Sequence, residues 1–321
     1  MRVLLAGATG VIGVRLIPML LAQGHDVTGM TRDPEKTVGL DRAGVRPLMC
    51  DVFDREQLTA AVRELRPEVV IDELSDRPAL LEPGREGREN SGNIRVRTEG
   101  TRNLVEAARA GGARRLIVQS YAHVYAPLSG WVKSEGAPLD LRPEAPRERR
   151  EAVAAYAERE RLALETSGIE GVALRYGVWY GPGTAYAPDG VMADLVRRRR
   201  YSIVSGGEGR TSFVHIDDAA FATTKTLDGP TGVFNLCDDA PATVSEWLPA
   251  YARALGAPAP RRVPPWALNV RSPDLFVYRT TTQRGASNQK AKFLLDFIPC
   301  YLDWRRGRQI GPDDAEVPLA A

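Results

Sequence analysis

Lysine is scarce in this sequence. Only five of its 43 basic residues are lysine (Lys36, Lys133, Lys225, Lys290 and Lys292), and none lies between Lys133 and Lys225. The three cysteines, Cys50, Cys237 and Cys300, are odd in number, scattered and without C-x-x-C spacing, which excludes a disulfide framework and a zinc site and suits a reducing compartment. No apolar run approaches the ~18 residues that span a bilayer, and residues 1–6 enter a strand pattern with no signal-peptide layout, so the expectation is a cytoplasmic protein with no membrane partner. An excess of charge is also lacking. The 43 basic and 41 acidic residues leave a net +2, no electrostatic footprint for nucleic acid, and the local run Arg197 to Arg200 reads as a solvated helix end. What is present, 321 residues of which 43% are hydrophobic and 26% charged, is enough for one large or two small globular domains.

Up to about residue 175 short apolar runs alternate with helical patterns. Strands are predicted at 3–6, 27–30, 46–50, 69–72, 116–120 and 172–175, and helices at 11–22, 56–65, 97–110 and 149–166. This alternation predicts an α/β protein with a doubly wound parallel sheet. Residues 1–177 form the expected nucleotide-binding domain, and 178–321 a smaller, loop-rich C-terminal substrate-binding lobe, with segments around 211–236 returning to the sheet. Pro- and charge-rich segments at 76–90 and 128–146 follow the fourth and fifth strands, the edge where such sheets keep their ligand sites.

The strongest local signal is Gly7-Ala8-Thr9-Gly10-Val11-Ile12-Gly13, directly after the first strand and opening the next helix. The three glycines allow a tight turn, a close backbone approach to a pyrophosphate and close helix-on-sheet packing, and the helix N-terminus attracts negative charge. The pattern is that of a Rossmann dinucleotide site, and Gly7, Thr9, Gly10, Val11, Ile12 and Gly13 are its candidate residues. Cofactor choice is read at the end of the second strand. An acid there would bind a ribose 2′-hydroxyl; here Thr31 and Arg32 stand instead, and a guanidinium pairs with a 2′-phosphate, so NADP(H) is preferred while NAD(H) is left open by Asp33 close by. Asp51 and Val52, after the third strand, are placed to meet adenine.

The chain resembles the extended short-chain dehydrogenase/reductase superfamily and, within it, the NAD-dependent epimerase/dehydratase group. The resemblance runs from the glycine motif through Glu99-Gly100-Thr101-Arg102-Asn103-Leu104, Leu174-Arg175-Tyr176-Gly177, Tyr180-Gly181-Pro182-Gly183, Phe213-Val214-His215-Ile216-Asp217-Asp218 and Phe234-Asn235-Leu236. The C-terminal run Gly285-Ala286-Ser287-Asn288-Gln289-Lys290-Ala291-Lys292 looks like the tail of an actinobacterial branch. The resemblance implies cofactor on the N-terminal lobe, with Leu74 and Ser75 lining it through their backbone, and a small-molecule substrate on the C-terminal lobe; a homodimer is left open.

The family's catalytic pattern is incomplete here. It uses a tyrosine whose pKa is lowered by a lysine four residues on, together with a Ser or Thr on the same substrate oxygen. Tyr156 is followed at that spacing by Glu160, and helical phase groups it with Val153, Ala157 and Leu164, so a core aromatic is the expected role and proton transfer the alternative. The turn Ser120-Tyr121-Ala122-His123-Val124-Tyr125 resembles the family's serine-rich turn, with the usual hydroxyl position falling on Tyr121 and Ser120 one residue before it. Ser120, Tyr121 and Tyr156 are therefore the catalytic candidates. His123, read as exposed, is a further proton-donor candidate. Arg97 stands where the family has an asparagine, with Asn93 one turn earlier. Asp72 and Glu73 are expected to reach solvent or substrate, and Asp217 or Asp218 to cap a helix. No metal site is expected. The resulting expectation is an NADP-dependent reductase acting on a ketone of a small or medium molecule such as an aromatic polyketide. A nucleotide-sugar epimerase or dehydratase is the first alternative and a non-catalytic NADP(H)-binding regulator the second.

Overall fold

A computed structural model describes residues 1–76, 86–268 and 273–307. Seven parallel strands form one sheet: β1 (Arg2–Ala6), β2 (Asp26–Thr31), β3 (Arg46–Met49), β4 (Val69–Asp72), β5 (Arg115–Tyr121), β6 (Glu170–Tyr176) and β7 (Gly232–Leu236), in the order β3-β2-β1-β4-β5-β6-β7. Strand order reverses its direction of progress between β1 and β4, the switch point where open α/β sheets bind ligands. The central strands are buried on both faces, which is why they read as unbroken apolar runs.

Helices α1 (Gly13–Ala22) and, from the C-terminal half, α5 (Ile216–Thr224) cover one face, where Leu16, Ile17, Leu20, Ala219 and Ala220 join Val3, Leu5, Ile71 and Ile117 in one core. The other face carries α2 (Arg55–Leu65), α3 (Thr101–Ala110) and α4 (Arg147–Leu164), with Leu58, Val62, Leu104, Val105 and Ala163 against Leu4, Val70 and Leu116. A third core, built on Tyr180, Met192, Phe213, Trp247, Tyr251 and Trp304, belongs to the C-terminal half. Two-residue parallel pairing of Val132–Lys133 with Gly285–Ala286 joins the segment after β5 to that half. Residues 86–90, expected in a linker, open the helix Glu86–Arg95, which runs through one π-helical turn, Val96–Gly100, into α3. The rest of that linker, 77–85, lies outside the described residues.

The sheet's carboxyl edge holds a layer of buried charge. Asp72 and Glu73 do not reach solvent. Asp72 pairs with Arg159 at 2.6 Å and accepts from Thr101 Oγ1, while Arg159 also donates to the carbonyls of Asp72 and Leu74. Glu73 lies 2.9 Å from Tyr176 Oη, and that hydroxyl lies 2.6 Å from Thr223 Oγ1, which donates to Ala219 O. Burial pushes the Glu73 carboxyl up to about 8. Tyr176 Oη donates to Glu73 Oε1 and Thr223 Oγ1 to Ala219 O, so the buried carboxyl ends a chain of buried hydroxyls. Beside it, Glu160 binds Arg175 through both oxygens, at 2.7 and 2.6 Å, and accepts from Ser120 Oγ at 2.5 Å.

Two outcomes follow. Glu160→Gln leaves Arg175 buried without its counter-charge and lowers stability in urea by ~3–5 kcal/mol, whereas Glu160→Leu with Arg175→Met loses less than the single change. Glu73 is raised in the folded state, so its contribution is complete below its unfolded pKa, near 4.5, and is lost as pH rises toward about 8. Stability therefore falls between pH 5 and 8, by at most about 1.4 kcal/mol per unit from this group. Asp238, raised by burial to about 7, adds to the same slope, and Glu73→Gln flattens the urea midpoint against pH without abolishing its fall.

Candidate active site

The glycine turn is dictated by backbone crowding. Gly7 has φ +87°, and a Cβ there would meet the Glu73 carbonyl at 2.6 Å; on Gly13 it would meet the Gly7 carbonyl at 2.4 Å. Only glycine fits either place. No side chain caps α1 at Ile12, so the helix start is left to a ligand. In front of it Thr9, Gly10, Val11, Val14 and Arg15 face Pro182 and Gly183 across a cleft of about 370 Å³. This cradle fits a dinucleotide pyrophosphate. The Ile12 side chain is buried in the core below, so only its backbone faces that space.

At the far end of the cradle Thr31 closes β2, buried, and its Oγ1 accepts from Asp33 N. Arg32 is exposed and reaches Asp76 at 3.0 Å. Asp33 is occupied otherwise, capping the 3₁₀ turn Pro34–Lys36 through Glu35 N and pairing with Lys36. Asp51 accepts from Phe53 N, capping the turn before Arg55, and the helix that follows is capped by Asp54, which accepts from Gln57 N. Val52 is buried against Gly100. Leu74 is half-buried, its N–H turned back to Asp72 Oδ1, and Ser75 is exposed. Asn93 is tied to the Asp76 backbone in both directions.

The catalytic candidates separate. Ser120 is buried and its proton is committed to Glu160. Tyr121 and Tyr156 come together, their rings stacked at 5.9 Å. The expectation that Tyr156 is a core aromatic is corrected: it is half-buried, and its hydroxyl accepts from Arg97 Nη2 at 2.8 Å, with the guanidinium 3.9 Å from its ring. The π-helical turn carries Arg97, itself only 8% exposed, to that place, and such turns recur at functional sites. The buried face of α4 holds Arg149, Arg159 and Glu160, which is why an apolar-phase argument misplaced Tyr156.

His123 is also corrected. It is buried, with Nε2 accepting from Ser212 N, and burial together with Arg149 and Arg279 drives its pKa down to about 3. A neutral imidazole so enclosed is no proton donor. The α5 cap is His215, which accepts from Asp217 N; Asp217 and Asp218 lie in the first turn, and Asp218 accepts from the backbone of Cys300 and Tyr301. Arg279, within electrostatic range of His123 and Tyr201, and Tyr201, within range of Tyr121, carried no motif in the sequence.

Residues 3–237 match the model of the NAD dependent epimerase/dehydratase family. A Streptomyces 3-diazoavenalumate denitrifying reductase is 44% identical over 310 residues, covering 96% of this chain and 99% of that protein. A ketoreductase of Stigmatella aurantiaca that acts on a 3-oxo-dihydroquinoline oxide is 26% identical over 81% of this chain and 75% of its own length. Among solved structures, the UDP-glucose 4-epimerase of Thermotoga maritima superposes with a TM-score of 0.75 at 21% identity, covering 98% of both chains, a likeness of fold. With its glycine cradle, its sheet order and these relatives, the chain is an oxidoreductase of the NAD-dependent epimerase/dehydratase family.

Proposed function

We propose that this protein is an NADPH-dependent reductase that replaces the diazo group of a small aromatic molecule by hydrogen. The observation that carries the reading is the Glu160–Arg175–Ser120 lock. At the spacing where the family places its lysine stands a carboxylate already bound to an arginine, and the serine beside it is used up in the same lock. A reaction that develops an alkoxide draws on those two groups; loss of dinitrogen does not. The 44% identical reductase, by its name, performs a denitrifying reduction on a diazo compound.

The residues that would hold the cofactor are the backbone of Thr9 to Gly13 for the pyrophosphate, Asp51 and Val52 for adenine, Leu74 and Ser75 beside the ribose, and Arg32 for the 2′-phosphate. When bound, NADPH supplies one hydride, and the balance is Ar–N₂⁺ + NADPH → Ar–H + N₂ + NADP⁺. No net proton is required, so the chain's task is to orient the ring and exclude water. The stacked pair Tyr121 and Tyr156 offers aromatic contact for that. In the second reading the acceptor is a ketone, favoured by the Arg97 hydrogen bond that brings a positive charge to the Tyr156 hydroxyl, as a proton donor to an alkoxide requires.

Two measurements test this. An ortho-diazonium phenol incubated with enzyme and C4-deuterated NADPH is expected to release N₂ and retain deuterium; alcohol formed from a ketone with no denitrification would establish the second reading instead. Tyr156→Phe keeps denitrification within a few-fold, whereas it would cut ketone reduction by roughly 10²-fold or more. In titrations, wild type binds NADPH more tightly than NADH, and Arg32→Ala loses about tenfold or more for NADPH alone. Equal affinities in wild type would reject the cofactor assignment.

A further inference from the structure

Beyond the reacting end, aromatic rings continue toward the C-terminal half, where a second arginine, Arg279, lies within electrostatic range of His123 and Tyr201. Tyr121 stacks on Tyr156 at 5.9 Å and stands 4.9 Å from the His123 ring. Tyr201 lies within electrostatic range of Tyr121 and meets Phe276 at 5.0 Å. Phe276 is on α6 (Pro273–Thr281), and Arg279, three residues on, occupies the same face of that helix. At the other end of these rings Arg97 covers Tyr156.

The two guanidiniums differ. Arg97 is buried and donates to the Tyr156 hydroxyl. Arg279 is exposed, and among the described residues no side chain forms an ion pair or a hydrogen bond with its guanidinium. The charges acting on His123 are both arginines, Arg149 and Arg279, and the imidazole is neutral. Burial holds the Tyr201 phenol up at about 12, so it bears no negative charge. Asp140, reached by the residue before Arg279, is spent on Tyr278, Arg149 and Arg142.

We propose that Arg279 is the anchor for the carboxylate of a planar aromatic acid, whose ring lies along Tyr121 and Tyr156 with its reacting end toward Arg97. The assignment rests on the reductase reading above and names its substrate class. Guanidinium and carboxylate match in a planar, two-point pairing, and an anion held at the far end of these rings leaves one orientation for the substrate ring. A neutral aromatic would lack that end-point and slide.

The test is a binding measurement on the full-length protein saturated with NADP⁺, using cinnamate and its uncharged isostere cinnamamide as probes in calorimetric titration. Wild type is expected to favour cinnamate by about tenfold or more. Arg279→Gln loses that preference while binding NADP⁺ unchanged, and Arg279→Lys restores part of it. No cinnamate binding, no preference in wild type, or an intact preference in Arg279→Gln would each overturn the assignment. Because no turnover is involved, the outcome is separable from the reaction itself: selective cinnamate binding in an enzyme that never releases N₂ would sink the diazo reading and leave the anchor standing.

Discussion

Three charged residues on the buried face of α4 fasten the carboxyl ends of three neighbouring strands, and the site is arranged around them. Arg159 holds the end of β4 through Asp72 and the carbonyl of Leu74. Glu160 ties Ser120 of β5 to Arg175 of β6. Arg149 gathers Asp140 and the carbonyls of His123 and Tyr125. Each charge loses its water on burial, and that cost is offset only because every one meets a partner in close geometry. Apolar side chains could fill the same volume, but they would not hold the strand ends in one register. The arrangement therefore exchanges some stability for position.

The same constraint separates the two halves of the site chemically. At the cofactor end, position comes from backbone: glycine turns that no other residue fits, and a helix start without a side-chain cap. At the proposed substrate end it comes from side chains, Tyr121 stacked on Tyr156 with Arg97 over the Tyr156 ring. A family that shares the first half can vary the second freely, which is how one fold serves epimerases, ketoreductases and a denitrifying reductase among the relatives of this chain.

Much of the fold was legible in the sequence because strands buried on both faces must be apolar throughout. Predicted strands at 3–6, 27–30, 69–72, 116–120 and 172–175 all fall inside observed ones, and 46–50 overshoots by a residue. The glycine motif was legible because its spacing is a backbone requirement. What escaped was polar and buried. Asp72, Glu73, His123, Arg159 and Glu160 look like surface residues until their partners are known, and those partners lie between 15 and 103 positions away. No periodicity reports such pairings. The helix Glu86–Arg95 was missed for a related reason, since its polar composition reads as linker. Arg279 lies about 120 positions or more from the rings of Tyr121 and Tyr156, and only the return of the chain to the sheet edge brings them together.

The small parallel clip between Val132–Lys133 and Gly285–Ala286 bears on the order in which the molecule is made. Asn235 reinforces it, donating to the carbonyls of Lys133 and Ser287 while accepting from Tyr125. The segment after β5 thus waits, during synthesis, for a stretch emerging some 150 residues later. Domains fold as units while the chain grows from its N-terminus, so the cofactor cradle, complete within the first hundred residues apart from Pro182 and Gly183, can form early on the ribosome. The clip itself closes last, once Gly285 and Ala286 have emerged to pair with Val132 and Lys133.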